Sequence, residues 1–252
     1  MNYLRVITKP TEDENIFNVY WTNTNQSPRG IVKVRVPENF EDKRILAELY
    51  ALCYLLEVAE VVGADLAGNP NTTLYVSVGA VKKMATASSA KKHLIDYAKF
   101  LTTRFKGCPI TVDNQNDRWL KGLEDGLEVT HEIYAEKPIE ETIFLHSLGD
   151  VYLTSHVVER LAERLSEFKE NAITLGAAWR MLRTYAKAAS VVEVKKSDNR
   201  RASVKYAMKG RVEGQYYLNR NNNWIFVVAD GKHGKSLVTA YPITQEFANS
   251  FK

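Results

Sequence analysis

Cysteine is nearly absent: Cys53 and Cys108 are the only two in 252 residues, and their spacing suits neither a zinc site nor a redox pair. A disulfide scaffold and a thiolate metal centre are therefore not expected, and both thiols should be free. No apolar run approaches the roughly 20 residues that span a bilayer, and residues 1–10 carry no apolar stretch of the signal-peptide kind. The expected setting is the cytoplasm, with no membrane partner. Histidine is also sparse, with five in the chain. His131 beside Glu132, and His146, have no further His, Cys or Asp at ligand spacing, so ordinary surface residues are the simpler reading. No metal and no cofactor is expected.

What is present is ample core material and an uneven charge. Hydrophobic residues make up 45% of the chain, enough for two ordinary domains or one large one. The net charge of +4 is the sum of opposites: residues 150–252 hold 17 Lys and Arg against 10 Asp and Glu, whereas residues 1–149 hold 17 against 20. The basic half is the better candidate for nucleic acid, because cations that neutralise phosphate supply most non-specific affinity.

In the first half, residues 15–21 (Asn-Ile-Phe-Asn-Val-Tyr-Trp) and 30–36 (Gly-Ile-Val-Lys-Val-Arg-Val) have strand patterns separated by a turn-forming cluster. A long amphipathic helix is expected over 41–62, with Ile45, Leu46, Leu49, Leu52, Cys53, Leu56 and Val61 on one face. A strand at 72–78, a helix at 89–104, a strand at 109–113 and a helix near Trp119 follow. This order resembles the ribonuclease H-like fold. The nearest local likeness is residues 44–52, Arg-Ile-Leu-Ala-Glu-Leu-Tyr-Ala-Leu, which look like the family's first helix and make Glu48 its metal-binding glutamate. The resemblance places aspartates on the first strand, where residues 19–23 read Val-Tyr-Trp-Thr-Asn, and at the end of the strand after the first helix, where residues 75–79 read Tyr-Val-Ser-Val-Gly. Glu48 with Asp113 or Asp117 does not supply the carboxylates that two cations need, so a catalytically silent relative is expected. Lys33 and Arg35, alternating with valines, lie on a face that either is solvated or touches nucleic acid.

The acidic residues 123–141 suggest a joint, with domains 1–148 and 149–252. In the second half a helix beginning near Tyr152 carries His156, Arg160 and Arg164, which advance only about 40° per step and form one stripe. Thr154 or Ser155 would cap it. Beside the stripe run Val157, Leu161, Leu165 and Phe168. A second helix over 174–189 and four or five short antiparallel strands complete an α+β domain. The whole chain is thus expected to be α/β plus α+β: a mixed-sheet domain followed by a smaller one with helices packed on an antiparallel sheet.

The Thr154-x-His156-x-x-x-Arg160 pattern, and a last strand ending in Thr239, Ala240 and Tyr241, resemble small ribonuclease toxins of the RelE, barnase and colicin type. The resemblance implies a metal-independent endoribonuclease that directs the ribose 2′-hydroxyl onto its own phosphorus. His156 would be its acid or base, Arg160 a phosphate clamp, and Thr239 and Tyr241 sheet-side contacts. Arg164, Lys205, Tyr206, Arg211 and Tyr217 would bind RNA through guanidinium, ammonium and stacking contacts. A toxin-like or mobile-element protein follows. The alternative is a non-catalytic, phage-type adaptor that grips nucleic acid or a host protein.

Overall fold

Leu4, Val6 and Thr8 alternate with Tyr3, Arg5, Ile7 and Lys9 along Asn2–Pro10, the period-two pattern of a strand with two different faces, and this segment is β1. It is the element that the sequence reading lacked, since the first strand was expected at residues 15–21. In the computed structural model, which describes residues 2–24, 29–63, 72–86, 88–113, 119–121, 124–154, 156–195, 214–231 and 234–249, the chain divides into two units, Met1–Ile139 and Glu140–Lys252. Among the described residues no helix is long and apolar enough to cross a membrane.

In the first unit β1 pairs antiparallel with β2 (Ile16–Asn23), and β2 antiparallel with β3 (Arg29–Arg35). Helix α1 (Lys43–Cys53) follows and runs on as a π-helical turn, Tyr54–Val58. Strand β4 (Thr72–Val76) then returns parallel to β1. After α2 (Gly79–Ala85) and the short α3 (Lys99–Thr102), β5 (Ile110–Val112) lies parallel to β4. The single helix expected over 89–104 is instead a succession of short turns ending in α3. The acidic segment taken as a joint supplies β6 (Val129–Tyr134), parallel to β3. The sheet order is β5-β4-β1-β2-β3-β6.

One face of this sheet buries Leu4, Val6, Phe17, Val19, Val32, Val34, Leu74 and Val76 with the buried side of α1. At 25 cal/mol per Å² such burial is the main stabilising term. On the opposite face Tyr20 and Ile31 pack with Leu120, Trp119 and Leu127.

The second unit opens with a hairpin, β7 (Thr142–Leu145) and β8 (Gly149–Leu153). That hairpin is why the boundary falls before residue 140 rather than near Leu148. Tyr152 is accordingly in a strand, and the helix begins later, as α4 (Val157–Lys169), followed by α5 (Leu175–Ala186). Thr174 caps α5 by accepting the amide of Ala177 at 3.2 Å, the usual role of a threonine there. Strands β9 (Val191–Val194), β10 (Gln215–Asn219), β11 (Trp224–Gly231) and β12 (Gly234–Pro242) form an antiparallel run, and α6 (Gln245–Ala248) ends it. The order β7-β8-β12-β11-β10-β9 is mixed rather than antiparallel, because β8 lies parallel to β12.

Asn219, fully buried, organises the turn into β11. Its Oδ1 accepts from Ser190 Oγ at 2.7 Å and from the amides of Asn221 and Asn222, while its Nδ2 donates to Tyr185 O at 3.0 Å. All its polar atoms are thereby satisfied, as burial demands.

Gly30 lets β6 approach β3. A Cβ there would stand 2.4 Å from Thr130 Cγ2, and Thr130 Oγ1 is held by donating to Ile31 O at 3.1 Å and accepting from Trp21 Nε1 at 3.3 Å. Gly30→Ala should therefore destabilise the unit by about 1–3 kcal/mol, the scale of overpacking. Urea denaturation of the single and double variants checks it: Thr130→Ala, which removes the obstructing methyl, should recover much of the loss, and additive effects would contradict the clash.

Candidate functional site

Helix α1 buries Leu46, Ala47, Glu48, Leu49, Ala51, Leu52 and Cys53, so Glu48 is a carboxyl inside an apolar face. Burial of an ionisable group is costly unless it is hydrogen-bonded. Its partners come from the ends of two parallel strands. Thr8 Oγ1 of β1 donates to Glu48 Oε2 at 2.6 Å, Ser77 Oγ just after β4 donates to the same oxygen, and the Val78 amide donates to Oε1 at 2.9 Å. Ser77 Oγ in turn accepts the Thr8 amide at 3.2 Å. Glu48, Thr8 and Ser77 are 0%, 1% and 6% exposed, so the network is closed to solvent. Burial pushes the Glu48 carboxyl above its ordinary value of 4.5, against the lowering effect of the hydrogen bonds from Ser77, Thr8 and Val78,.

The family resemblance implies divalent metal here, and the residues do not fit it. The first strand is β1, so the position facing Glu48 is Thr8 and not one of residues 19–23; the strand after α1 brings Ser77. The centre thus contains one carboxylate and two neutral hydroxyls, and all three donors point at the carboxylate oxygens that a cation would need. Asp113 is engaged elsewhere, 3.6 Å from Arg5 Nε, and Asp117 lies outside the described residues. Among the described residues no group of three or more His, Cys, Asp and Glu could hold a metal ion. His131 is occupied by aromatic contact: its ring centroid is 5.0 Å from that of Tyr54, with Nδ1 3.2 Å from the Tyr54 hydroxyl.

The second unit brings together a different set. Arg164 of α4 donates through Nη1 to Thr239 Oγ1, and its guanidinium carbon lies 4.7 Å from the ring centre of Tyr241. Strand β8 pairs with β12 at Ser236 and Leu237, and α4 packs on β12, with Arg164 reaching Thr239 and Tyr241. A guanidinium held by a hydroxyl and a ring is a fixed cation.

His156 does not join this group. It precedes Val157 at the start of α4, largely exposed, with Nδ1 3.0 Å from Glu159 Oε2. Eight residues separate it from Arg164, about 12 Å along a helix axis. Arg160 is exposed between them. Thr154 does not cap the helix but donates to Leu237 O at 3.1 Å, and Ser155 lies outside the described residues. Tyr217 is buried at 2% exposure, so its ring offers no stacking surface. Lys205, Tyr206 and Arg211 also lie outside the described residues. Phe168, expected on the apolar stripe, is exposed.

Comparison of the chain with protein-family models, with curated proteins and with solved structures finds no match.

The Glu48 network yields a pH signature. Its folded pKa is raised above the unfolded one, so its contribution to stability is fully present below the unfolded pKa and is lost as pH rises through the folded value. Glu48→Gln removes this dependence. As pH rises from the ordinary glutamate value of 4.5 the stability of wild type relative to Glu48→Gln should fall, by at most about 1.4 kcal/mol per pH unit, the limit for one proton, and level off once the folded pKa is passed. Urea denaturation across that range measures it; a pH-independent difference, or one of opposite slope, would contradict it.

Proposed function

We propose that this protein binds nucleic acid without cutting it, with a ribonuclease H-like first unit whose metal centre is replaced by hydroxyls. The carrying observation is the closed contact of Glu48 with Thr8, Ser77 and Val78. The element order supports the resemblance: three antiparallel strands, a helix, then two strands parallel to the first. On this reading, with β1 as the first strand, Thr8 and Ser77 stand where the resemblance implies aspartates. A centre built this way stabilises the fold and supplies neither a metal-bound nucleophile nor charge to a phosphate. Binding is assigned mainly to the second unit. With the boundary before residue 140, that unit holds 17 Lys and Arg against 12 Asp and Glu. The exposed guanidiniums of Arg160 in α4 and Arg180 in α5 are suited to phosphate contacts, which position a chain without reading its sequence. A host protein as partner, and a cytoplasmic, phage or mobile-element setting, belong to the same proposal.

A metal-independent ribonuclease of RelE type is the second reading, and one observation favours it: Arg164, Thr239 and Tyr241 do meet. Against it, the acid–base group assigned to that chemistry, His156, stands two turns away.

RNA binding by the full chain, followed by fluorescence anisotropy, should weaken linearly in log salt, and Arg160→Glu with Arg180→Glu should weaken it further. RNA and RNA–DNA hybrids should remain intact in manganese and in excess EDTA. Cleavage in EDTA that leaves cyclic phosphate ends and falls by roughly 100-fold in His156→Ala, the scale of a lost acid–base group, would establish the ribonuclease instead. Manganese-dependent cleavage abolished by Glu48→Gln would overturn the silent centre. In the opposite direction, Thr8→Asp with Ser77→Asp should make the first unit bind manganese, read as a rise in melting temperature that wild type lacks.

A further inference from the structure

The face of the first sheet turned away from α1 carries a second polar arrangement at its β2-β3-β6 side. The registers align Ile16 with Arg35 and Arg35 with Tyr134, and in the next row Asn18 with Lys33 and Lys33 with Glu132. The rows are two residues apart on every strand, so all six side chains point to one face. Their alternates Phe17, Val34 and Ile133 pack in or against the core under α1. Strand spacing of about 4.8 Å and a two-residue rise of about 6.7 Å set the rows side by side. Lys33 Nζ lies 3.2 Å from Glu132 Oε1, which fixes one ammonium and one carboxylate. Arg35 is exposed and has no side-chain partner among the described residues, and its neighbour Tyr134 is 49% exposed. Ile16, Lys33, Arg35, Glu132, Ile133 and Tyr134 line an open hollow of about 220 Å³.

We infer that this hollow receives one nucleotide of a single-stranded nucleic acid, its base on Tyr134 and its phosphate on Arg35. The chemistry selects the class. A phenol ring beside a free guanidinium offers a stacking surface and a bidentate phosphate contact one strand apart. Glu132 can accept hydrogen bonds from base amino groups and from the ribose 2′-hydroxyl. The hollow is smaller than the roughly 300–1,000 Å³ of pockets that enclose a whole small ligand, so the occupant is one unit of a strand that continues over the sheet. A base in a duplex is already stacked on both sides and cannot present its face to Tyr134, which excludes double-stranded partners.

This inference rests on the preceding proposal only in taking nucleic acid as the partner, and two readouts separate them. The probe is a short single-stranded RNA carrying 2-aminopurine, mixed with the full chain. Anisotropy reports binding anywhere on the protein; 2-aminopurine fluorescence reports stacking. Wild type should quench the fluorescence. Tyr134→Ala should abolish the quenching and weaken affinity by roughly 10-fold, the scale of one lost stack, while Tyr134→Phe retains both. Arg35→Ala should weaken affinity more than Arg35→Lys. Arg160→Glu with Arg180→Glu should lower affinity and leave the quenching of the bound strand intact. Binding with no quenching, quenching that survives Tyr134→Ala, or an abasic strand bound as tightly as the intact one would each overturn the inference while leaving the binding proposal standing. Absence of any anisotropy change would overturn both. Adenosine monophosphate binding as tightly as the strand would overturn the strand as the occupant.

Discussion

A glutamate fully buried in the apolar face of α1 must find hydrogen-bond donors there or leave the core. Glu48 finds them on the two parallel strands β1 and β4, through Thr8, Ser77 and Val78. That requirement sets the rotation of α1 over the sheet, the approach of the β4 end to β1, and the start of the chain into α2. The same contact decides what the centre can do. Both carboxylate oxygens accept from protein donors, and the neighbouring positions offer hydroxyls, so the charge density that would attract a divalent cation is absent. The Thr8 and Ser77 hydroxyls can turn to accept as well as donate, and so tolerate a protonated carboxyl; the Val78 amide cannot.

The two units place their cations differently. In the second, Arg164 of α4 is held by the Thr239 hydroxyl and the Tyr241 ring of β12. His156 remains at the helix start with Glu159, so a proton carrier and the fixed guanidinium occupy separate places. In the first unit the guanidinium of Arg35 is left open beside an exposed tyrosine, on the face that α1 does not cover. A sheet with one face closed on a helix and the other partly exposed thus separates a structural polar centre from a surface suited to contact.

Much of this was legible in the residues. Alternation in 30–36 and the apolar positions of α1 are strong local signals, and β2, β3, α1, β4 and β5 lie close to where they were expected. Glu48 was singled out by its setting in the Ala-Glu-Leu run. What failed was long-range. Residues 2–10 also alternate, but their strand character is clear only when β2 and β4 flank them, and without β1 the partner of Glu48 could not be named. Residues 129–134 have a weak pattern because β6 is an edge strand with most side chains in solvent; the division between the units, at Ile139 and Glu140, does fall inside the acidic segment 123–141, but β6 precedes it there. In the second unit helical spacing put His156, Arg160 and Arg164 in one stripe; their divergence came from a partner three residues away for His156 and from a strand 75 residues distant for Arg164.

The central claim is that the Glu48 carboxyl is sealed among protein donors and titrates as a buried acid rather than as a cation ligand. The most direct test follows its own carboxyl carbon by NMR in protein labelled at glutamate, with Glu48→Gln used for assignment. The account predicts a midpoint above the ordinary glutamate value and a resonance that does not shift when buffer free of divalent cations is exchanged for excess magnesium. A midpoint at or below the ordinary value, or a saturable shift with magnesium, would contradict it.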